Sequence, residues 1–309
     1  MSLVKNLPWN YGSAICYSGF REGQHPGGTH PSYEQIKEDL LILQGRWKYL
    51  RLYDCDEHAE TTLRVIRQEG LDFQIMLGAY IVAEASNDKC PWGGTYSEEV
   101  LKENRTKNIA RINKLIDLAN QYPDIIFSLS AGNEACVEWT DHLVPVERVV
   151  EYVKMIQKKT KQPVTFCENY VPWLGYLKPL AEVVDFISIH TYPVWEYKQL
   201  HEGLGFTKDN YYAVAQMHPD TPVVITEAGW ATNSNGRGIN PDNVGEDQQK
   251  VYYQALMNWV NEEEILTFVF EAFDEPWKGS PDPMEPEKHW GLFNVDRTPK
   301  LVMQDVVMG

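Results

Sequence analysis

Two glutamates end long apolar runs in this chain. Glu227 sits in Val223-Val224-Ile225-Thr226-Glu227-Ala228-Gly229-Trp230, and Glu134 ends Ile125-Ile126-Phe127-Ser128-Leu129-Ser130-Ala131-Gly132-Asn133-Glu134. An apolar run that stops at a carboxylate reads as a buried strand delivering a reactive group at its C-terminal end. Two such ends place two carboxylates at one mouth. A carboxyl pair suits glycoside hydrolysis, in which one group acts as acid and the other as base or nucleophile. No nucleophilic serine motif and no metal-binding triad is evident in the sequence. Asp54-Cys55-Asp56-Glu57-His58 has metal-ligating residue types, but acidic residues before a helix normally cap it.

The elements that must position these groups alternate along the whole chain. Strands are expected over Ser13–Phe20, Tyr49–Asp54, Phe73–Tyr80, Ile125–Ala131, Val164–Cys167, Asp185–His190, Val223–Thr226 and Leu266–Ala272. Their Ile, Val, Leu and Phe content is that of buried parallel strands. Helical patterns lie between them. Ser32-Tyr33-Glu34-Gln35 spells a capping box ahead of Ile36–Leu43. Further helices are expected over Glu60–Gln68, Glu98–Ala119, Val146–Lys159, Asn210–Met217 and Glu246–Val260, with a short one inside Trp173–Leu180. Eight strands, each followed by a helix, predict an α/β fold: a single (β/α)8 TIM barrel over residues 1–309. A doubly wound sheet is the alternative, but Arg21-Glu22-Gly23-Gln24-His25-Pro26-Gly27-Gly28 lacks the phosphate-binding glycine pattern that would accompany it.

Composition narrows the partners. The net charge of −16 opposes binding to nucleic acid through phosphates. No run of about eighteen apolar residues predicts a membrane span. Met1-Ser2-Leu3-Val4-Lys5-Asn6 lacks the apolar core of a signal peptide. The five cysteines, Cys16, Cys55, Cys90, Cys136 and Cys167, are widely spaced and fit small buried side chains. Ten Trp and seventeen Tyr are enough to fill a core and still leave rings at a barrel mouth to stack on sugars.

The C-terminal strand ends gather Arg21, Tyr53, Asp54, Tyr80, Asn133, Glu134, Glu168, His190, Tyr192, Glu227, Trp230, Glu271, Glu275 and Lys278. Trp195 joins them as a candidate sugar platform. The Glu271–Lys278 segment is read as a hydrogen-bonding floor for sugar hydroxyls, with Lys278 keeping a carboxylate ionised.

The order of motifs resembles glycoside hydrolase family 17, the β-1,3-glucanase family, and its bacterial branch in particular. The resemblance rests on Tyr17-Ser18-Gly19-Phe20-Arg21-Glu22-Gly23-Gln24, Pro31–Leu40, Leu50-Arg51-Leu52-Tyr53 and Gly132-Asn133-Glu134. It continues through Thr226-Glu227-Ala228-Gly229-Trp230, Glu271–Lys278 and His289-Trp290-Gly291-Leu292-Phe293. It implies a retaining hydrolase acting on laminarin-like β-1,3-glucan without a cofactor. Glu134 matches the family's acid/base and Glu227 its nucleophile, with carboxyl groups about 5–5.5 Å apart. Asn133 is expected on the sugar 2-hydroxyl, Tyr192 on Glu227, and Glu275 and Lys278 in support. Arg21, Tyr53, His190, Trp195, Trp230 and Glu271 complete the expected substrate contacts. Plant relatives tend to carry Thr and Pro where this chain has Ala228 and Ala231, and the segment from His190 to Glu196 also departs from them. A β-1,3-glucanosyltransferase using the same glutamates is the alternative activity. A non-catalytic glucan-binding barrel is a third reading, but it has no need of both carboxylates. A monomer is expected, and the polymeric substrate implies a periplasmic or extracellular setting.

Overall fold

Each apolar run forms a strand in the computed structural model, which describes residues 9–304. The strands are β1 (Ala14–Cys16), β2 (Tyr49–Leu52), β3 (Gln74–Gly78), β4 (Ile126–Asn133), β5 (Val164–Asn169), β6 (Ile187–Thr191), β7 (Val223–Ala228) and β8 (Thr267–Val269). All neighbours pair in parallel, and β8 pairs back onto β1, so the sheet closes into a barrel. The helices line its outside: α1 (Tyr33–Leu43), α2 (Glu57–Glu69), α3 (Glu98–Gln121), α4 (Val146–Gln157), α5 (Tyr170–Trp173), α6 (Lys178–Ala181), α7 (Leu200–Met217), α8 (Glu246–Glu263) and α9 (Leu301–Gln304). This is the expected single (β/α)8 barrel. Strands enclosed by the barrel interior and the helix ring are buried on both faces, which is why their sequences are apolar without alternation.

Local signals are realised as read in several places. Ser32 caps α1 by accepting the Gln35 N–H, and the Gln35 side chain accepts the Ser32 N–H in return. Asp56 caps α2 by accepting the Ala59 N–H, and Asp54 pairs with Arg111 on α3. The acidic cluster before α2 is therefore used in capping and pairing. All five cysteines are free and buried. Among the described residues, no helix is long and apolar enough to cross a membrane.

Other boundaries differ from expectation. β1 stops at Cys16 and β8 at Val269, because the chain beyond each leaves the ladder to enter the barrel mouth. The two departing segments still bond each other, Ala272 N–H donating to Cys16 O at 2.9 Å. α7 begins at Leu200, well before Asn210, where Gly203 and Gly205 weaken the helical signal. Gly203 is needed for packing: a Cβ there would stand 2.9 Å from Trp230 Cζ3. The ambiguous stretch after Cys167 holds two short helices, α5 and α6.

One buried ion cluster ties the C-terminal segment to the start of the barrel. Asp39 on α1 is fully buried and accepts Arg297 Nε and Nη2, each at 2.7 Å. Arg21 Nη2 donates to it at 2.9 Å and Tyr17 Oη at 3.1 Å. Truncation of Arg297 leaves a buried carboxylate short of its main partner. Arg297→Ala should lower stability by about 3 kcal/mol, read as a lower urea midpoint with unchanged slope.

Candidate active site

β7 carries Glu227 into the barrel mouth, where it is only 5% exposed, so its charge must be paired. The partner comes from across the barrel. Arg51 on β2 is 2% exposed and donates through Nη1 to Glu227 Oε1. Its Nη2 donates to Asn133 Oδ1 at the end of β4. Tyr192, just past β6, donates its hydroxyl to Glu227 Oε2. Burial alone raises the Glu227 pKa, but the charges of His190 and Arg51 and the hydrogen bonds from Tyr192 and Arg51 outweigh it and hold the carboxyl at about 2. The Tyr53 ring lies 4.3 Å from the Arg51 guanidinium carbon, and its buried hydroxyl has no hydrogen-bond partner.

Glu134 follows the last residue of β4 and takes a left-handed backbone, φ 46°. A register shift between Ser130 and Asn133 in the β4–β5 ladder turns the chain there. Gly132, at φ 144°, makes the turn possible, since a Cβ on it would lie 2.8 Å from both Ile81 Cδ1 and Phe166 Cε2. The Glu134 N–H donates to Cys167 O at 2.9 Å. Buried Glu168 on β5 accepts the N–H groups of Cys136 at 2.8 Å and Val137 at 3.1 Å, holding the segment just beyond Glu134. Burial, reinforced by the charge of Glu134, pushes the Glu168 carboxyl up to about 8.

His190 on β6 joins the two glutamates. Its Nδ1 is 2.8 Å from Glu134 Oε1 and 3.4 Å from Glu227 Oε2. Burial favours the neutral ring, yet Glu227, Cys167 and Glu134 together raise the imidazole to about 10, so it is a cation at neutral pH. One ligating atom from each of Glu134, His190 and Glu227 lies within 4.8 Å of the others. These are metal-ligating types, and Arg51 already supplies positive charge to Glu227.

The β8 end forms a second, connected cluster. Glu271 is fully buried and its two oxygens lie 3.1 and 3.0 Å from Lys278 Nζ. Glu275, 1% exposed, pairs with Lys278 at 2.5 Å and accepts from Ser18 Oγ and from Trp277 Nε1, the latter at 2.9 Å. Burial and the charge of Glu275 raise Glu271 well above the usual carboxylate range. For Glu275, the charge of Lys278 and the bonds from Glu271, Lys278 and Ser18 overcome burial and lower it. The two neighbouring carboxyls are thus shifted in opposite directions, Glu271 up and Glu275 down. Burial also raises Glu287 to about 7, against the pull of Lys278 and with the charges of Glu134 and Glu227 adding to it.

The barrel thus brings together Glu134, Glu227, Asn133, His190, Tyr192 and, through Arg51, Tyr53. Glu271, Glu275 and Lys278 meet as a linked charge cluster. Arg21 lies apart from the glutamate pair, bound to Asp39, to Glu38 at 2.8 Å and to Gln35 O at 3.2 Å, where it anchors α1. Trp230 corrects the expectation of a sugar contact. It is 1% exposed, packs on Tyr252 from α8 and donates its indole N–H to Asn243 O at 2.8 Å, so it has no free face. Trp195 is half-buried and stacks on Trp290 with centroids 6.4 Å apart. The sequence reading gave no role to Arg51, Ser18 or Glu287. For Arg51 a signal existed, because an arginine within Tyr49-Leu50-Arg51-Leu52 must meet a buried anion.

Residues 14–291 match the family model described as the BtgE/BtgC glycoside hydrolase domain. A "Glucan 1,3-beta-glucosidase" of Arthroderma benhamiae is 27% identical to this chain, over 92% of the chain and 89% of that relative. The "Glucan endo-1,3-beta-glucosidase btgC" of Emericella nidulans is 23% identical over 90% of the chain, which spans only 43% of that relative's length. Among solved structures, an endo-laminarinase from Formosa Hel1_33_131 is similar with a TM-score of 0.81 and 26% identity, over 96% of this chain and 86% of that one. A glycoside hydrolase family 17 β-1,3-glucanosyltransferase from Rhizomucor miehei has a TM-score of 0.73 at 19% identity, over 94% of this chain and 95% of that one, which is a likeness of fold alone.

The shifted pKa values set a pH dependence of stability. His190, raised to about 10, contributes stability that is complete below the ordinary histidine pKa and is lost as pH rises through about 10. Glu227, lowered to about 2, contributes stability that is complete above the ordinary glutamate pKa and is lost as pH falls through about 2. Thermal midpoints measured from pH 7 to 10.5 should therefore fall, and in His190→Asn the slope of this fall should be visibly shallower.

Proposed function

The chain belongs to the BtgE/BtgC glycoside hydrolase domain family, and on that premise we propose that it is a retaining hydrolase of β-1,3-glucan, with Glu227 as nucleophile and Glu134 as acid/base. The observation that carries this reading is the mutual approach of the Glu134, His190 and Glu227 ligating atoms to within 4.8 Å. Close approach of the nearest oxygen atoms favours a retaining pair, at about 5–5.5 Å between carboxyl groups, over an inverting pair, at about 6.5–9.5 Å. The substrate follows from the names of the relatives from Arthroderma benhamiae and Emericella nidulans and of the Formosa structure.

In this mechanism Glu227 attacks the anomeric carbon as an anion, the state that Arg51 and Tyr192 maintain. Glu134 acts first as the acid. His190 engages its Oε1, which leaves Oε2 to give the proton to the departing glycosidic oxygen. After the first product leaves, Glu134 takes a proton from water, the water oxygen bonds to the anomeric carbon, and Glu227 departs as carboxylate. Asn133, its Oδ1 occupied by Arg51, has its amide NH₂ to donate to the sugar 2-hydroxyl. Lys278, the least buried member of its cluster, offers a donor for a further hydroxyl, while buried Glu271 and Glu275 hold its ammonium in place. The order of motifs supports finer placement in glycoside hydrolase family 17, while the bacterial branch rests on motif spelling alone, the named curated relatives being fungal. A glucanosyltransferase would use the same pair and differ only in its acceptor. A non-catalytic binding barrel would not need an ionised buried Glu227 facing Glu134.

Glu227→Ala should abolish release of reducing sugar from laminarin, and added azide should restore product of inverted anomeric configuration. Wild-type rates in that variant would remove Glu227 from the mechanism. Glu134→Ala should slow laminarin hydrolysis about 10²–10⁴-fold and spare substrates whose leaving group needs no proton. Equal losses on both substrate types would exclude Glu134 as the acid.

A further inference from the structure

One histidine outside the charge network grips the backbone that carries Glu134. The chain leaves the barrel at Glu134 and folds back on itself before α4. Val144 N–H donates to Ala135 O at 2.7 Å, which sets the returning chain against the departing one. The N–H groups of Glu84 and Ala85, from the segment after β3, hold the return at Leu143 O, at 2.9 and 3.1 Å. His142 is thereby brought back beside Asn133, and its Nε2 lies 3.0 Å from Asn133 O. A carbonyl oxygen only accepts, so Nε2 carries a proton and donates it.

The rest of the imidazole is fixed as well. Its Nδ1 lies 2.8 Å from Asp141 Oδ1, 3.1 Å from Thr140 Oγ1 and 3.3 Å from Tyr80 Oη. The bond to His142 is the main cause that lowers the Asp141 carboxyl pKa. Tyr96 Oη donates to Asp141 O at 2.8 Å and ties down that residue's backbone. The Tyr80 ring lies across the imidazole, with centroids 4.9 Å apart and planes tilted by 33°. With partners at both nitrogens and a ring against its face, the His142 side chain is held in one orientation.

The contact matters because of the peptide it reaches. The unit joining Asn133 to Glu134 donates its N–H to Cys167 O at 2.9 Å and accepts His142 at its carbonyl, so it is held at both ends. Its orientation governs Glu134, whose φ of 46° is one that a residue with a Cβ keeps only when its surroundings impose it. His142 bonds to neither the Glu134 nor the Glu227 side chain, so its effect runs through this peptide. We infer that His142 is a positioning residue for the acid/base: it clamps the Asn133–Glu134 peptide, and the clamp aims the Glu134 carboxyl at the departing glycosidic oxygen. This rests on the hydrolase reading above. Without the clamp the peptide turns, the Glu134 backbone relaxes and the carboxyl leaves the line of proton transfer. A misplacement of about 1 Å costs about 10²-fold in rate. Glu227 is held by Arg51 and Tyr192 and keeps its geometry for attack.

The test compares wild type with His142→Ala, His142→Gln and Asp141→Ala on two substrates. One is laminarin. The other is a dinitrophenyl β-laminaribioside, whose leaving group departs without a proton. In His142→Ala, kcat/KM, which reports breakage of the glycosidic bond, should fall about 30-fold on laminarin and less than about threefold on the aryl substrate. On the aryl substrate kcat should also fall, because Glu134 must next take a proton from water. Added azide should restore it: an azide nitrogen bonds to the anomeric carbon, the bond to Glu227 breaks, and Glu227 leaves as carboxylate. His142→Gln keeps an N–H donor for Asn133 O and should recover most of the laminarin rate. The Asp141 side chain is half-exposed, and Asp141→Ala should show the same selective pattern with a smaller loss. Wild-type kcat/KM on laminarin in His142→Ala overturns the clamp, as do equal losses on both substrates or a glutamine variant no better than alanine. Should His142→Ala fail to fold, an Asp141→Ala variant without selective loss overturns it equally. Failure of wild type to cleave either substrate overturns the hydrolase reading itself, and the clamp with it.

Discussion

A carboxylate buried in the mouth of a barrel must be held by opposite charge, and Arg51 meets that requirement for Glu227. One guanidinium reaches from β2 across the interior, gives one nitrogen to Glu227 on β7 and another to Asn133 on β4. Glu227 and the residue preceding Glu134 are thereby referred to a single rigid fork. Their separation follows from barrel closure, because only a closed sheet brings β2, β4 and β7 to one interior. Tyr53 packs over the guanidinium and shields it from water on one side.

The charge pattern around this fork is ordered by proton placement. His190 is a cation between two glutamates, Glu227 is an anion, and the neighbouring Glu271 and Glu275 are shifted in opposite directions around Lys278. Each state is set by the balance of burial against a specific neighbour. A chain with a net charge of −16 can therefore gather many carboxylates in its interior without leaving them all charged. Different roles for chemically identical side chains arise from that balance, as acid/base chemistry requires.

The backbone contributes as much as the charges. Glu134 stands on a left-handed residue after a register shift, at a place where Gly132 alone fits between Ile81 and Phe166. Glu168 then bonds the next N–H groups and fixes the turn. The segments after β3 and β5 hydrogen-bond to the segment that follows this turn. Much of the fold was legible beforehand, because parallel strands buried on both faces are apolar throughout. Strand ends were less so: at Cys16 and Val269 the chain leaves the ladder while its composition stays apolar. The first turns of α7 were hidden because Gly203 answers to a tertiary contact with Trp230 and not to helix propensity.

From the sequence alone came the eight-fold alternation, the barrel and the two glutamates at strand ends, since each depends on residues close together in the chain. Which side chains complete the site depended on tertiary structure. Arg51, remote from Glu227 in sequence, becomes its partner only when the sheet closes, and Trp230, adjacent to it in sequence, turns away into the packing between α7 and α8. The protonation of His190 and the upward shift of Glu271 were decided there too, because burial and neighbouring charges exist only in the folded chain.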